Sequence, residues 1–320
     1  MAPRYPLSDH CDGRRFRNVH ASTDKRFADV LRFWRSKGEW TPWPERVDDP
    51  PCPPPAGPVS DGQAALTFVG HVTFLIRIGG CTLLTDPVWS EHAGPFGRLG
   101  PKRARPPALP FEALPNLDTV LVSHGHYDHM DLPTLKRLSG TPVVAGLGNR
   151  RYLERRGVRP VHELDWWQSV DLGGARITFV PAQHWSSRTL LDRNTTLWGG
   201  FVIEAGGLTV YFCGDAGYSP HFREIAARFP RIDAALLPIG AYEPRWFMTP
   251  QHMNPDEAVR AHRDLGARIS VAMHFGTFRL TPEGIAEPVA ALAQARAAHG
   301  VDDQAFRVPR FGETLLLPGG

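Results

Sequence analysis

From about residue 65 onward the chain reads as short apolar runs broken by glycine, alternating with longer amphipathic stretches. Runs at 65–69, 73–78 and 82–85, separated by Gly70 and by Gly79-Gly80, predict a meander of buried strands, because short apolar runs bounded by turn formers suit strands that are covered on at least one face. Thr119-Val120-Leu121-Val122 is another such run, and further strands are predicted at 142–145, 176–180, 198–203, 209–213, 234–237 and 269–273. Helical spacing predicts 131–138, with Leu132, Leu135 and Leu138 inward, and then 149–155, 221–228, 255–265 and 282–298. Asn254-Pro255-Asp256-Glu257 and Thr281-Pro282-Glu283 each set a capping side chain before a proline, the arrangement that favours a helix start. Two mixed sheets flanked by helices fit this tally.

Residues 1–60 read differently. They are predicted to form an arm wrapping a body of residues 61–320, and the proline-rich stretch 48–55 reads as an extended connector, since proline lacks the donor that regular structure needs. One short amphipathic helix is predicted inside the arm, capped by Ser22 or Asp24. It would place Phe27, Val30, Leu31 and Trp34 on one face, with Lys25, Arg26, Arg32 and Arg35 outside that stripe. Such a face either docks on the body or lies on a membrane surface, a use for which basic segments carrying Trp and Phe are suited.

Composition narrows the class. With 42% apolar and 22% charged residues over 320 positions, the chain is expected to bury a sizeable core, and no apolar run approaches the roughly 20 residues of a membrane span. The first residues lack the apolar centre of a signal peptide, so a cytoplasmic location is expected, with peripheral membrane contact as its variant. The net charge of +3 is carried mainly by Arg and is not concentrated enough to imply nucleic acid, which demands a basic stripe. Cys11, Cys52, Cys81 and Cys213 have no paired short spacing, which excludes a disulfide framework or a thiolate zinc site.

The candidate chemistry sits after the run at 119–122, in Ser123-His124-Gly125-His126-Tyr127-Asp128-His129. Residues two apart in extended chain point the same way, so His124 and His126 can grip one ion from a strand end, with Asp128 and His129 turned toward a second position. Imidazole suits zinc, and a neighbouring carboxylate adds charge for another divalent ion. His184, Asp215 and His274 each follow a predicted strand. Asp86 is a candidate to orient a ligand imidazole through its free nitrogen, and His71 either supports the site or is a buried hydrogen-bonded histidine. Gln251 and His252 precede the helix start at Asn254, where free amides favour an anion. The basic loop at 100–105 either faces an anionic substrate or is solvated, and the aromatic strings Trp166-Trp167 and 242–247 either line an acyl groove or belong to the core. Neither a Gly-x-Ser-x-Gly elbow nor a phosphate-binding Gly-Lys-Ser loop is present.

The pattern His-x-His-x-Asp-His followed by a lone His, a Gly-Asp and a late His resembles the metallo-β-lactamase superfamily. The resemblance implies an α/β fold, an αββα four-layer sandwich of two mixed β-sheets with a dinuclear site on one edge. It assigns His124, His126 and His184 to one metal, Asp128, His129 and His274 to the other, and Asp215 to a bridge between them. A narrower likeness covers roughly residues 60–318: Glu163-Leu164-Asp165-Trp166-Trp167, Gln183-His184-Trp185, the string at 238–248, Gln251-His252 and Gly100-Pro101-Lys102-Arg103 are similar to the N-acylphosphatidylethanolamine-hydrolysing phospholipase D family. This implies two Zn²⁺ per chain, with iron or manganese as alternatives, and a metal-bridging hydroxide made by lowering the pKa of water from about 15.7 toward about 7. Asp128, Asp215 and His252 would be catalytic, with His252 donating to the leaving oxygen, and Gln251, His252, Tyr242 and Trp185 would contact substrate. The expected partner is an anionic phosphodiester or lipid, with homo-oligomerisation as a further expectation. A lactonase of the same superfamily and a non-enzymatic metal-binding scaffold are the alternatives. An RNA-processing nuclease is disfavoured because 31 positions between His184 and Asp215 leave no room for an inserted nucleic-acid domain.

Overall fold

The computed structural model describes residues 4–50, 52, 59 and 62–318. The predicted arm–body boundary at 60/61 and half of the proline-rich connector lie outside the described residues. The arm begins with a small hairpin, β1 (Leu7–Ser8) and β2 (Cys11–Asp12), followed by α1 (Phe27–Arg35). One seven-stranded sheet then takes β3 (Ala64–Gly70), β4 (Thr73–Ile78), β5 (Cys81–Thr85), β6 (Thr119–Val122), β7 (Val143–Gly146) and β8 (Val161–Leu164). The second takes β9 (Ser169–Leu172), β10 (Ala175–Val180), β11 (Gly200–Ala205), β12 (Leu208–Phe212), β13 (Ala234–Pro238), β14 (Ile269–Met273) and β15 (Phe306–Arg307). The last strand, β16 (Thr314–Leu317), returns to the first sheet and pairs antiparallel with β3. Both sheets are mixed: β5 to β8 and β12 to β15 run parallel, and the rest pair antiparallel.

Burial explains why the strands read as unbroken apolar runs. Along the first sheet, Phe74 and Ile76 face the core between the sheets while Leu75 faces outward under the helices, and Leu121 divides in the same way from Val120 and Val122. A strand covered on both faces needs no polar alternation. The outer layer over this sheet is α2 (Leu132–Arg137) and α3 (Arg150–Glu154). Over the second sheet lie α4 (His221–Arg228), α6 (Pro255–Leu265) and α7 (Glu287–His299), while the short α5 (Arg245–Met248) packs with the arm. Two sheets between two helical layers are the sandwich expected from the motifs.

Several local expectations are corrected. Helix α7 begins at Glu287 rather than 282, because Glu283 is turned away to accept from the backbone N–H groups of Tyr242 and Glu243 at 3.1 and 3.3 Å and so caps a loop instead of a helix. At the other predicted cap, Asn254 and Glu257 form the reciprocal box, with bonds of 2.8 and 3.0 Å. Neither Ser22 nor Asp24 caps α1; Arg26 occupies that position and Asp29 reaches back to its N–H at 3.3 Å. The stripe of α1 does not dock as a unit: Phe33, not among the predicted contacts, is its buried residue and stacks on Phe247 at 4.6 Å. The basic loop is a structural clamp rather than a free surface, with Arg103 donating to the carbonyls of Ser90 and Val88 at 2.9 Å and Arg105 to that of Gly276 at 2.7 Å. Trp166 belongs to the core, its indole N–H donating to the Trp198 carbonyl at 2.7 Å.

The arm is held by a charge. His10 stacks on Trp166 at 4.4 Å, with Nδ1 2.6 Å from Asp9 and Nε2 2.8 Å from Asp165. Burial works against the imidazolium, but Asp165 and Asp9 more than offset it and raise its pKa above the ordinary histidine value. A raised pKa stabilises the docked arm fully below the unfolded histidine pKa of about 6.5, and this contribution is lost as pH rises through the folded value. Hydrogen exchange at Phe16, whose N–H donates to the Asn194 carbonyl at 2.7 Å, should therefore be better protected at pH 6 than at pH 9 after correction for intrinsic rates. A His10→Gln variant should remove that difference; equal pH dependence in both proteins would refute the account.

Candidate metal centre

The candidate ligands collect at one edge of the sandwich because each follows the end of a strand. His124 to His129 follow β6, His184 follows β10, Asp215 follows β12 and His274 follows β14. Loops beyond the carboxyl ends of parallel strands are where such folds expose functional groups. Asp86 follows β5, and His71 lies in the β3–β4 turn. His71, Asp86 and His274 all have left-handed backbone, with φ of 55°, 32° and 59°, a conformation that non-glycine residues hold only where the surroundings enforce it. The His274 N–H donates to the His71 carbonyl at 2.7 Å, so two of these strained residues brace each other. Gly240 follows from the same crowding, since a Cβ there would lie 2.1 Å from the His274 carbonyl oxygen.

Two groups form. In the first, Nδ1 of His126 stands 2.9 Å from His124 Nε2 and 3.3 Å from His184 Nε2. In the second, Asp128, His129 and His274 meet His71, whose Nε2 is 3.2 Å from Asp128 Oδ2. Asp215 lies between them, with Oδ2 3.1 Å from His129 Nε2 and 3.8 Å from His184 Nε2, and Oδ1 3.2 Å from His274 Nε2. All seven residues named for the two metals are therefore in one cluster. His71 joins them, and of its two sequence readings the contact with Asp128 places it in the site.

The remaining ring nitrogens are tied back. His129 Nδ1 donates to Asp86 Oδ2 at 2.6 Å, His184 Nδ1 donates to the Gln251 carbonyl at 2.8 Å, and His124 Nδ1 donates to Ser123 Oγ at 3.0 Å. Ser123 passes its own proton to Asp86 at 2.5 Å. These bonds hold a proton on Nδ1 of each ring, so that Nε2 of His124 and His184 turns a lone pair inward and Nε2 of His129 does so once its second proton is displaced, the arrangement that metal-ligating histidines share. His126 Nε2 and His252 Nδ1 are buried without a hydrogen-bond partner, and His129 Nε2 and His274 Nε2 have only carboxylates to face. Unpaired buried donors and acceptors are costly, and lone pairs aimed at a common point are satisfied by cations.

The electrostatics agree. Burial lowers the pKa of His124, His126 and His184, to about 3 for His126 and about 4 for His184, leaving three neutral imidazoles together. Around Asp215 and Asp128 the balance reverses: burial opposes charge, but these carboxylates raise His129 well above its ordinary value and His274 to about 9. In return His129 holds both carboxylates well below the usual range. The protein thus has two protons where divalent cations would supply charge.

Substrate candidates are placed unevenly. His252 is 8% exposed, its ring 5.0 Å from that of His184 and its Nδ1 3.9 Å from Asp215 Oδ2. Trp185 stands edge-on to His126 at 4.3 Å and is half-buried. Gln251 reaches the cluster through its backbone carbonyl, while its side-chain amide contacts Met248 Sδ at 3.4 Å. Tyr242 is buried beside the Gly240–Ala241 backbone rather than among the ligands. Beside the metal loop opens a cavity of about 620 Å³ lined by Tyr127, Met130, Lys136, Arg155, Arg156 and Arg188. Arg188 clamps that loop, donating to the carbonyls of Gly125 and Met130 at 2.8 and 2.9 Å. Sequence reasoning did not find Arg188, nor Asn18, which donates to the His184 carbonyl at 2.8 Å and accepts from its N–H at 3.1 Å. Both act on backbone far away in sequence, and only Ser123, which opens the motif, carried a local signal.

Residues 82–275 match the model of the beta-lactamase superfamily domain. This chain belongs to that superfamily. Among its relatives, an N-acyl-phosphatidylethanolamine-hydrolyzing phospholipase D of Caenorhabditis elegans is 38% identical over 79% of this chain and 76% of its own length. A UPF0173 metal-dependent hydrolase of Rubrobacter xylanophilus is 34% identical over 69% and 85%. An uncharacterized protein of Mycobacterium tuberculosis is 43% identical over 73% of this chain, and the match spans 64% of that relative's length. The fold recurs in an isothiocyanate hydrolase from Delia radicum gut bacteria, with a TM-score of 0.64 at 22% identity over 78% of this chain and 98% of that one.

Proposed function

We propose that the protein is a dinuclear zinc phosphodiesterase of phospholipase D type, acting on N-acylphosphatidylethanolamine or a related anionic phosphodiester. The reading is carried by the 38% identity to the nematode phospholipase across most of both chains. His124, His126 and His184 would hold one ion and Asp128, His129 and His274 the other, with Asp215 facing both groups. The orphaned inward atoms described above fit such ions. When bound, the pair supplies Lewis acidity that makes water a nucleophile near neutral pH. Asp215 and Asp128 provide the carboxylate charge, and Asp86 and the Gln251 carbonyl keep the ligand imidazoles oriented. His252, which burial keeps neutral, would donate a hydrogen bond to the leaving oxygen. Trp185 walls the site next to His126.

The basic lining of the neighbouring cavity favours an anionic diester over a neutral lactone, and its Asp131 carboxylate is already engaged by Ser90 and Thr134. Zinc-replete protein is expected to release phosphatidic acid from N-acylphosphatidylethanolamine. Absence of turnover on every phosphodiester in a panel would sink the proposal. Lactone hydrolysis with inert phosphodiesters would select the lactonase, and less than one metal ion per chain with no hydrolysis would select the scaffold.

A further inference from the structure

Helix α1 is anchored by one face and leaves another bare. Phe33 is buried against Trp40, Phe247 and Met248, whereas Phe27 is 82%, Leu31 37% and Trp34 64% exposed. At about 100° per residue these three positions fall within roughly 60° of arc, a narrow apolar stripe turned from the anchoring side. Trp246 stands nearby, 43% exposed, under the Arg32 guanidinium at 4.3 Å. The stripe is bordered by charge of one sign. Residues 25–37 carry Lys25, Arg26, Arg32, Arg35 and Lys37 against Asp29 alone, a net +4 where the whole chain carries +3.

The helix is also mechanically close to the candidate metal centre. Phe247 and Met248, which hold Phe33, lead into the turn where the Met248 carbonyl accepts from the N–H groups of Gln251 and His252, each at 2.9 Å. On its other side, Arg193 donates to the Thr23 carbonyl at 2.9 Å, lies over the Trp185 ring at 4.2 Å, and belongs to a loop whose Leu190 and Leu191 are 102% and 86% exposed. Exposed apolar side chains thus share a loop with Arg193, which covers Trp185, and Trp185 itself packs on His126.

We propose that α1, with Trp246, is a docking surface for an anionic lipid bilayer. Trp and Phe suit the interface between headgroup and acyl chain, and the surrounding cations are complementary to anionic headgroups. Docking there sets the substrate side of the site against the layer that would hold a lipid diester. The surface rests on the proposed lipid substrate for its purpose, but its binding is measurable without any turnover.

The test is co-sedimentation of the full chain with vesicles of phosphatidylcholine and phosphatidylglycerol, compared with phosphatidylcholine alone. The native protein is expected to bind the anionic vesicles more tightly, and less so as salt rises. Phe27→Ser with Trp34→Ser should weaken that binding at least about tenfold, the scale for withdrawing one large apolar side chain from burial. Arg35→Gln should weaken it about fivefold on anionic vesicles only. Because these side chains are exposed, far-ultraviolet circular dichroism and turnover of the water-soluble diester bis(p-nitrophenyl) phosphate should be unchanged. Native protein that ignores anionic vesicles, or binding untouched by the double variant, overturns the proposal. So does a concentration-dependent dimer that the double variant disrupts in the absence of vesicle binding. Vesicle binding lost in the double variant, with no turnover of any phosphodiester in the panel by any form of the protein, supports the docking and refutes the phosphodiesterase.

Discussion

An Asp215→Ala variant is expected to lose hydrolytic turnover by on the order of 10³-fold or more, the scale expected when metal-assisted lowering of the pKa of water from about 15.7 toward about 7 is compromised. The expectation comes from position. Asp215 is 4% exposed and lies within 4 Å of His129, His184, His252 and His274, so its carboxylate faces both ligand groups at once. Removing it also leaves His129 and His274 without the carboxylate that contributes most to their raised pKa values. Bound metal should fall from about two ions per chain to one or fewer, measured by inductively coupled plasma mass spectrometry after zinc loading and desalting. Asp215→Asn separates charge from shape, because it keeps the volume and one acceptor. It too should lose metal, whereas an Asp215→Asn variant with full metal content and turnover within tenfold of native would remove Asp215 from its proposed role.

Much of this site was legible because strand ends are. A run such as 119–122 announces a strand, and polar residues immediately beyond it must leave the sheet, which is why His124 to His129, His184, Asp215 and His274 can be gathered from the sequence. The fold was legible for the same reason: both faces of the sheets are buried, so their strands stand out as apolar text. What was less legible depends on contacts between distant segments. The periodicity of α1 marked an amphipathic helix but left open whether its stripe docks on the body, and it missed Phe33 as the anchoring residue, because the aromatic that stacks on Phe33 lies at 247 and helical spacing carries no information about it. Glu283 likewise looked like the start of a helix until the N–H groups of Tyr242 and Glu243, some forty residues earlier, claimed its carboxylate. The short strands β8, β9, β15 and β16 were not predicted. The burial of β9 is only partial and β15 has just two residues, so neither writes a strong pattern.

Asp86 is where fold and site depend on a single carboxylate, and its replacement should separate them. The residue is fully buried, accepting from the Ser123 N–H at 2.7 Å with one oxygen and from Ser123 Oγ and His129 Nδ1 at 2.5 and 2.6 Å with the other. Asp86→Ala strands these donors, and each unpaired buried group costs about 1–3 kcal/mol; the left-handed φ of 32° adds strain, since alanine tolerates that region less well than aspartate. The variant should therefore melt at a clearly lower temperature even without metal. Asp86→Asn should behave differently. Its oxygen can still accept from the Ser123 N–H, but its amide would then confront His129 Nδ1–H donor to donor. His129 can relieve this by moving its proton to Nε2, which blocks the lone pair that faces Asp215 and Asp128. Metal affinity should then fall about 10–100-fold, the usual cost of losing such an orienting partner, with a much smaller change in melting temperature than for alanine. Zinc titration monitored by competition with a chromogenic chelator, alongside thermal unfolding of the metal-free proteins, reads the two effects separately. Equal zinc affinity in the native protein and the Asp86→Asn variant would show that Asp86 holds the fold but does not orient the ligand.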